Sequence, residues 1–444
     1  MKSATQLITG IPAWTSASGK MRTYVLFLSL SITVFLGAFV VGGYKGYSGS
    51  DMDPHRSLFD LGFAFGPAIQ ALVEHHRLAY IEPEYGLLCW ARRLPVIPVL
   101  GALSYHLSPQ ARVFYILKNL LFWPLWIYAL FRLRSCYKIP DKWVLLAAGV
   151  MLLVPYNLAT ASRDYFEEGY LVPLIGLLFA LLVTSRRTRT YFVIGVVIGL
   201  IYLTKSSMFL LCAAAACWCV ITGWQKNRYA TAVPAIFLGL AAAGWGGYVY
   251  IHTGRFAIGA SSSSWNGENF YMGNNPYADR LYPQITLDEL VAEHKLHIHE
   301  KMHDEWQLND AEFALGWKFV DTHPGTVAKM TFKKLDVACC YLLEAPEAIP
   351  GHERPAVVAS NLIDHLLMAT MLAIAAYNLW RRKISSAEVL AILFVVTYMP
   401  AYIVAHLWAR HMVPLYGLAA LTLAIQLGRG QRGAEGHRAF EADI

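Results

Sequence analysis

Long apolar runs dominate this sequence and limit what it can fold into. Ten of them recur between Thr23 and Leu427, several near the roughly 20 residues that one bilayer crossing needs. Backbone amides in a bilayer core must bond within their own segment, which favours helices for isolated apolar runs. The sequence therefore predicts an all-α integral membrane protein with about ten transmembrane helices. The predicted spans are 23–43, 111–131, 143–156, 171–184, 191–203, 208–224, 230–251, 362–380, 387–408 and 412–427.

Composition and charge support a membrane protein and argue against a nucleic-acid partner. The chain is 56% hydrophobic and only 15% charged, whereas soluble domains carry about 25% charged residues. The net charge of +7 comes from short Lys and Arg clusters that lie between apolar runs. Such clusters mark cytoplasmic loops under the positive-inside rule. We therefore expect membrane lipid around the chain, no nucleic acid, and both termini in the cytoplasm.

The alternation of basic and acidic loops divides the chain into five predicted regions. A long outer loop is expected between the seventh and eighth spans, with short helices that include 309–322, begun by Asn309 and Asp310. The run 94–107 is expected to be a re-entrant or surface helix, because a full crossing there would invert every later loop. The regions are a cytoplasmic N-terminus (1–22), a transmembrane module (23–251) with acidic outer loops (44–110 and 157–170), the outer loop (252–361), the last transmembrane helices (362–427) and a cytoplasmic tail (428–444).

The first outer loop concentrates carboxylates beside apolar helices. Asp51, Asp53 and Asp60 lie in it, and Asp60 is predicted to begin an amphipathic helix that ends near His75. A carboxylate here could deprotonate an acceptor group or hold a divalent metal. The alternative is an interfacial loop whose charges are simply solvated.

A second set of charges is predicted at the same surface. Arg163, Asp164, Glu167 and Glu168 form the second acidic loop, and charges beside a span are costly unless they face water or a partner. Lys205 and Arg410 are basic residues at outer span ends, where they suit a phosphate headgroup. A salt bridge from Arg163 to Glu167 and snorkelling of Lys205 and Arg410 are the plainer alternatives.

Several segments together resemble the polytopic lipid-linked-sugar glycosyltransferases with the C-type fold. ARRLPVIPVLGALSYHLS (91–108) looks like an R-x-P-x-x-P segment of that family, and SRDYFEEGY (162–170) resembles its second acidic loop. YLTKSS (202–207), WNGENFYMGNNPYA (265–278) and ARHMVPLYGLA (409–419) are similar to later family motifs. The closest likeness is to dolichyl-phosphate-mannose protein mannosyltransferases and bacterial aminoarabinose transferases.

This resemblance implies transfer of a hexosyl or pentosyl group from a polyprenyl-phosphate donor, with inversion at the anomeric carbon. The acceptor is an envelope glycan, lipid or protein, and the site faces the periplasm from the bacterial inner membrane. Asp53 or Asp60 is the expected base, with Asp51 as a third candidate. No cofactor is certain; a divalent metal would use Asp53, Asp60 and Glu167. The expected substrate-binding residues are Arg92, Arg93, Arg163, Asp164, Glu167, Glu168, Lys205, Asn274, Asn275, Arg410 and His411.

Two other functions fit the same sequence. One is a glycan polymerase or ligase with a lipid-pyrophosphate donor. The other is a non-catalytic flippase or transporter of lipid-linked glycans, which predicts charges deep within spans and a polar path between the two faces.

Overall fold

The computed structural model describes most of the chain as a bundle of helices. It describes residues 25–27, 29–33, 36, 56–62, 65–82, 86–163, 166–184, 187–278, 302–339, 353–407 and 409–442. Apart from one small β-hairpin and short 3-10 turns, the regular elements in these ranges are α-helices.

The elements run in the following order. A 3-10 turn, Leu58–Asp60, precedes α1 (Phe65–His75), the antiparallel pair β1 (Tyr80–Ile81) and β2 (Leu88–Cys89), α2 (Val96–Tyr105) and α3 (Ala111–Tyr137). Then come α4 (Asp141–Leu153), α5 (Pro155–Ser162), α6 (Glu168–Thr184), α7 (Thr188–Thr204), α8 (Phe209–Thr253) and α9 (Asn266–Gly273). The last are α10 (Glu305–Thr322), α11 (Pro324–Cys339), α12 (Glu353–Trp380), α13 (Ser386–Val404) and α14 (Val413–Ala442).

Six helical segments of the described chain are long and apolar enough to cross a membrane. This finding supports the prediction of an all-α integral membrane protein. α6 and α7 are apolar but have only 17 residues each, and α2 has ten, about 15 Å of helix. The six segments are Ala111–Tyr137, Ser206–Gln225, Asn227–Thr253, Leu362–Trp380, Ser386–Val404 and Arg410–Arg429.

Two helix breaks shape the bundle. The predicted span 143–156 is not one unbroken helix, because α4 ends at Leu153 and a new helix begins at Pro155, whose missing amide suits a first turn. α8 leaves helical geometry at Asn227 (φ −161°, ψ 83°), so it consists of two arms, as the two separate predicted spans required. The Asn227 Oδ1 atom accepts from the Ala230 amide 3.1 Å away and so caps the second arm.

The bundle has two polar ends, and α6 lies in its core. From Glu168 to Leu182 every residue of α6 is buried. At one end, here called the basic end, Arg132 donates to Thr184 Oγ1 (2.6 Å) and Arg429 approaches Glu388 (3.5 Å). The opposite end, here called the cluster end, carries Glu168, Lys205 and Arg410, at the start of α6, the end of α7 and the turn before α14.

Three local predictions need correction. Asp60 ends a 3-10 turn instead of beginning the amphipathic helix, which starts at Phe65. The second acidic loop is shorter than 157–170, since α5 continues to Ser162 and α6 begins at Glu168. The helix predicted from Asn309 begins one turn earlier at Glu305, because the Asp304 carboxylate accepts from the amides of Trp306 and Gln307 at 2.8 Å each.

Candidate functional site

Two polar side chains of α3 fix the start of the second acidic loop. Lys118, buried in the bundle, donates to the carbonyl oxygen of Ala161 at 2.5 Å, and Asn119 donates to that of Ser162 at 2.9 Å. These carbonyls end α5 and have no partner within the helix, so the two side chains cap it. Arg163 is thereby held at the edge of the cluster end.

An ion-pair network joins the loop to α7 and to the turn before α14. The Lys205 ammonium lies 2.6 Å from Glu167 Oε2 and 3.0 Å from Glu168 Oε1. The His411 Nε2 atom is 3.7 Å from the same oxygen of Glu168. Burial alone would lower the pKa of Lys205, but the two carboxylates outweigh it and raise that pKa, so the lysine stays charged.

Aromatic rings pack around this network. The Tyr398 hydroxyl donates to the backbone oxygen of His411 at 2.6 Å, and the Tyr402 and His411 rings are 4.4 Å apart. Phe166 lies between two cations: its ring centre is 4.9 Å from the Arg163 guanidinium and 4.7 Å from that of Arg410. The rings exclude water and leave the charges in a surrounding of low polarity, where each acts more strongly.

A second network positions the segment that bears Arg92 and Arg93. The buried Glu305 carboxylate accepts from the amides of Trp90 (2.7 Å) and Ala91 (3.0 Å) and from the hydroxyl of Ser264 (2.5 Å). Burial raises the pKa of Glu305, although these bonds oppose the rise. The clamp ties α10 to Ser264, 41 positions earlier in the sequence, and to Trp90, 215 positions earlier.

The two neighbouring arginines have different surroundings. Arg92 forms buried ion pairs with Glu82 (2.8 Å) and Glu268 (2.5 Å). Arg93 is 4% exposed, and its guanidinium lies 3.4 Å from the Trp265 ring centre and 4.7 Å from that of Phe65. Its Nε and Nη1 atoms have no hydrogen-bond partner among the described residues.

Arg93 interacts electrostatically with the Lys205 network. Burial lowers its pKa, and the Glu167 carboxylate is among the charges that act on it in the other direction. An arginine remains protonated under such conditions. A buried cation with unfilled donors is rare in proteins and suits an anionic ligand.

Sequence reasoning missed two buried basic residues, Lys334 of α11 and His406. Lys334 is 1% exposed, and burial lowers its pKa to about 7. A methyl group on Gly273 would overlap the Ala405 backbone oxygen and lie 2.9 Å from Lys334 Nζ, so α9, α11 and the segment after α13 meet here. Burial, together with Lys334 and Arg410, lowers the pKa of His406 to about 3. In the sequence Lys334 follows another lysine, Lys333, and no local pattern distinguishes the buried residue from its half-buried neighbour.

The predicted site residues fall into three groups. Arg93, Arg163, Glu167, Glu168, Lys205, Arg410 and His411 lie together at the cluster end, whereas Asp51, Asp53 and Asp164 lie outside the described residues.

The third group makes local structural bonds. The Asp60 carboxylate accepts from the Ser57 amide (3.2 Å) in a capping box. The spacing Ser57-x-x-Asp60 is typical of this motif. Asn274 donates to the backbone oxygen of Val404 (2.8 Å), and Asn275 donates to that of Tyr271 (2.8 Å). Arg92 forms ion pairs with Glu82 and Glu268.

The arrangement can bind an anion that carries a hydrophobic group. Within the described residues, the cations outnumber the two carboxylates near them, and aromatic rings close around both. No group of three or more His, Cys, Asp or Glu side chains with metal-binding geometry occurs in the part of the chain that the structure describes. The metal set proposed from the sequence includes Asp53 and is therefore outside that comparison.

Comparison with known proteins does not assign the chain to a family. No protein-family model matches it, and no curated protein is significantly similar to it.

Proposed function

We propose that this protein is a membrane-embedded glycosyltransferase that uses a polyprenyl-phosphate sugar as donor. The sugar passes to an envelope glycan, lipid or protein acceptor. The observation that carries the proposal is Arg93, a buried guanidinium with two hydrogen-bond donors unfilled within the described residues and with Trp265 stacked on it. A lipid phosphate offers negative charge and acceptor oxygens to these two donors.

The residues divide the chemistry as follows. The acceptor oxygen or nitrogen attacks the anomeric carbon while the bond from that carbon to the phosphate oxygen breaks, and the electron pair leaves with the phosphate. Arg93 and Arg410 stabilise the charge that builds on the phosphate, which makes electrostatic stabilisation the main catalytic effect. Lys205, matched by Glu167 and Glu168, fixes these carboxylates beside Arg410. Asp53 is the preferred base, since the Asp60 carboxylate is engaged in its capping box.

The proposal places the cluster end at the periplasmic face of a bacterial inner membrane, within a ten-span topology. Exposed residues allow a direct test. Ser261 lies at the cluster end, and the native Cys136 lies beside the basic end. A membrane-impermeant maleimide added to cells with a permeable outer membrane should label Ser261→Cys and leave Cys136 unlabelled. Labelling of Cys136 in intact inner membranes would reverse the assignment.

One observation favours the transporter alternative. Asp364 is fully buried in the segment Leu362–Trp380; its Oδ1 accepts from Asn157 at 2.7 Å, and its Oδ2 has no hydrogen-bond partner among the described residues. A buried carboxylate in a span is a feature of ion and substrate pathways. Asp364 is only the third residue of its segment, so it does not extend a polar path through the bilayer.

The experiment that tests the proposed function is mass spectrometry of envelope glycans, lipids and glycoproteins from cells with and without the gene. A transferase predicts that one product loses a single sugar and that the corresponding polyprenyl-phosphate sugar accumulates. A polymerase or ligase predicts shortened or unattached glycan chains. If the protein is a transporter, membranes with and without the gene should form the same products once the donor is supplied on the outer side.

A further inference from the structure

The two arms of α8 line an open apolar groove that the proposed function does not use. Its volume is about 580 Å³, and its polar lining is negligible. It is lined by the first arm between Phe209 and Ile221, by the second arm between Ala235 and Ala243, and by Phe256 and Ile258.

The shape of this groove is unusual for a helix pair. Small residues at helical spacing normally let two membrane helices pack closely. Here five alanines and Gly239 are among the lining residues, and no side chain fills the space between them. A Cβ on Gly239 would meet no atom within 4 Å, so the space beside it is open. Both arms are long and apolar enough to span a membrane, and a hydrocarbon chain therefore suits this space.

The groove runs from the cluster end along the first arm of α8. Its first arm begins at Phe209, one helical turn after Lys205, and runs to Ile221, roughly 18 Å further along the helix. That length covers more than half of a hydrocarbon core of about 30 Å. An occupant with a headgroup near Lys205 would thus direct its chain towards the membrane centre.

The mouth of the groove is connected to Arg93 through packed residues. Ala257, between the lining residues Phe256 and Ile258, packs in one cluster with Ala91, Leu94 and Trp245. The Trp245 indole donates to the Ser262 backbone oxygen at 2.8 Å. The segment that begins in the groove at Phe256 reaches Trp265, which stacks on the Arg93 guanidinium.

We propose that this groove binds the isoprenoid chain of the lipid whose phosphate lies against Arg93 and Arg410. This inference rests on the proposed function for the identity of the headgroup. The groove is then a specificity site for the donor lipid. When the first isoprene units of the chain are held there, the depth of the phosphate in the membrane is fixed.

The native Cys217 provides the probe, because it lines the groove and its thiol is free and exposed. A variant with Cys136, Cys339 and Cys340 replaced by Ser would be purified in detergent, and the rate of Cys217 modification by a maleimide measured. Polyprenyl phosphate should slow the reaction about fivefold or more by covering the thiol. Phosphatidylglycerol, which also has a phosphate and two acyl chains, should have little effect.

A glycine pair gives the matched control. Gly239→Leu fills the groove, whereas Gly244→Leu makes the same change on the same arm at a position outside the lining, where a Cβ also meets nothing within 4 Å. Gly239→Leu should weaken polyprenyl-phosphate binding, measured by native mass spectrometry, about tenfold or more, because it displaces several buried methylenes. Gly244→Leu should bind as the wild type does.

The outcomes separate the groove from the transferase activity. Equal binding by both leucine variants, or equal protection of Cys217 by phosphatidylglycerol, would overturn the groove proposal even if sugar transfer is observed. Selective protection that Gly239→Leu abolishes, in a protein that transfers no sugar from any donor tested, would retain the groove and reject the transferase.

Discussion

The two ends of the bundle carry the same kinds of basic residue in opposite environments. At the basic end, Arg187, Arg189, Arg381 and Arg382 are exposed. At the cluster end, Arg92, Arg93 and Lys334 are at most 4% exposed. Exposed cations beside spans satisfy the positive-inside rule and need no further function. Buried cations cost desolvation energy, so they require partners, and the partners of Arg93 are incomplete within the described residues. Burial thus distinguishes the candidate site from membrane anchoring where charge alone does not.

The largest expected effect of this difference is on stability. Glu168→Ala removes a buried carboxylate that lies 3.0 Å from Lys205 and 3.7 Å from His411. It should destabilise the protein by about 3 kcal/mol, the low end for a broken buried pair, because Glu167 still contacts Lys205. Asp141→Ala removes the partner of Arg134 in a pair whose side chains are 21% and 24% exposed, and should cost about 1 kcal/mol or less.

Thermal unfolding in detergent, followed by tryptophan fluorescence, measures both variants against the wild type. Equal shifts of the unfolding midpoint for Glu168→Ala and Asp141→Ala would mean that the Glu168 carboxylate is as solvated as the Asp141 carboxylate.

A smaller effect is expected in the pH dependence of stability. The pKa of Lys334 is about 7 in the folded protein, against an ordinary value of 10.5. Between these two values the unfolded chain binds more protons than the folded one, so stability rises with pH. Lys334 should contribute about 2 kcal/mol of added stability from pH 7 to pH 9. Below pH 7 both states are protonated and this contribution levels off.

The variant Lys334→Met should lose that rise, and its unfolding midpoint at pH 7 should lie above that of the wild type. Lys333→Met, one position earlier and only half-buried, should retain the rise. If the two variants had the same pH profile, Lys334 would not be the buried amine that the structure describes.

The two regions also differ in how far the sequence predicts them. The basic clusters and the apolar runs specify the helices, because each run must satisfy its own backbone bonds. Lys205 and Arg410 could be placed at one end because they depart from the positive-inside pattern. The Asn227 kink separates two runs that were predicted as separate spans.

The rest of the site depends on contacts between distant segments, which no local pattern contains. Glu305 accepts from the amide of Trp90, 215 positions earlier in the chain, and Glu268 pairs with Arg92 across 176 positions. Arg92 and Arg93 look equivalent in sequence, yet one is matched by two carboxylates and the other stacks on Trp265. Only the packing of α9 and α10 against the first loop distinguishes them.

The most direct test of the central claim is the rate of sugar transfer per folded molecule for Arg93→Met, with a polyprenyl-phosphate sugar as donor. Arg382→Met at the basic end is the matched control. The account predicts a loss of about 2 to 4 kcal/mol of transition-state stabilisation for Arg93→Met, roughly thirty- to a thousandfold in rate. Its unfolding midpoint should be unchanged or higher, because the variant removes a buried cation that has two donors unfilled within the described residues. Arg382→Met should transfer at the wild-type rate. Wild-type turnover by Arg93→Met, or a loss of folding that accounts for its lower activity, would contradict the claim that this buried arginine binds the lipid phosphate.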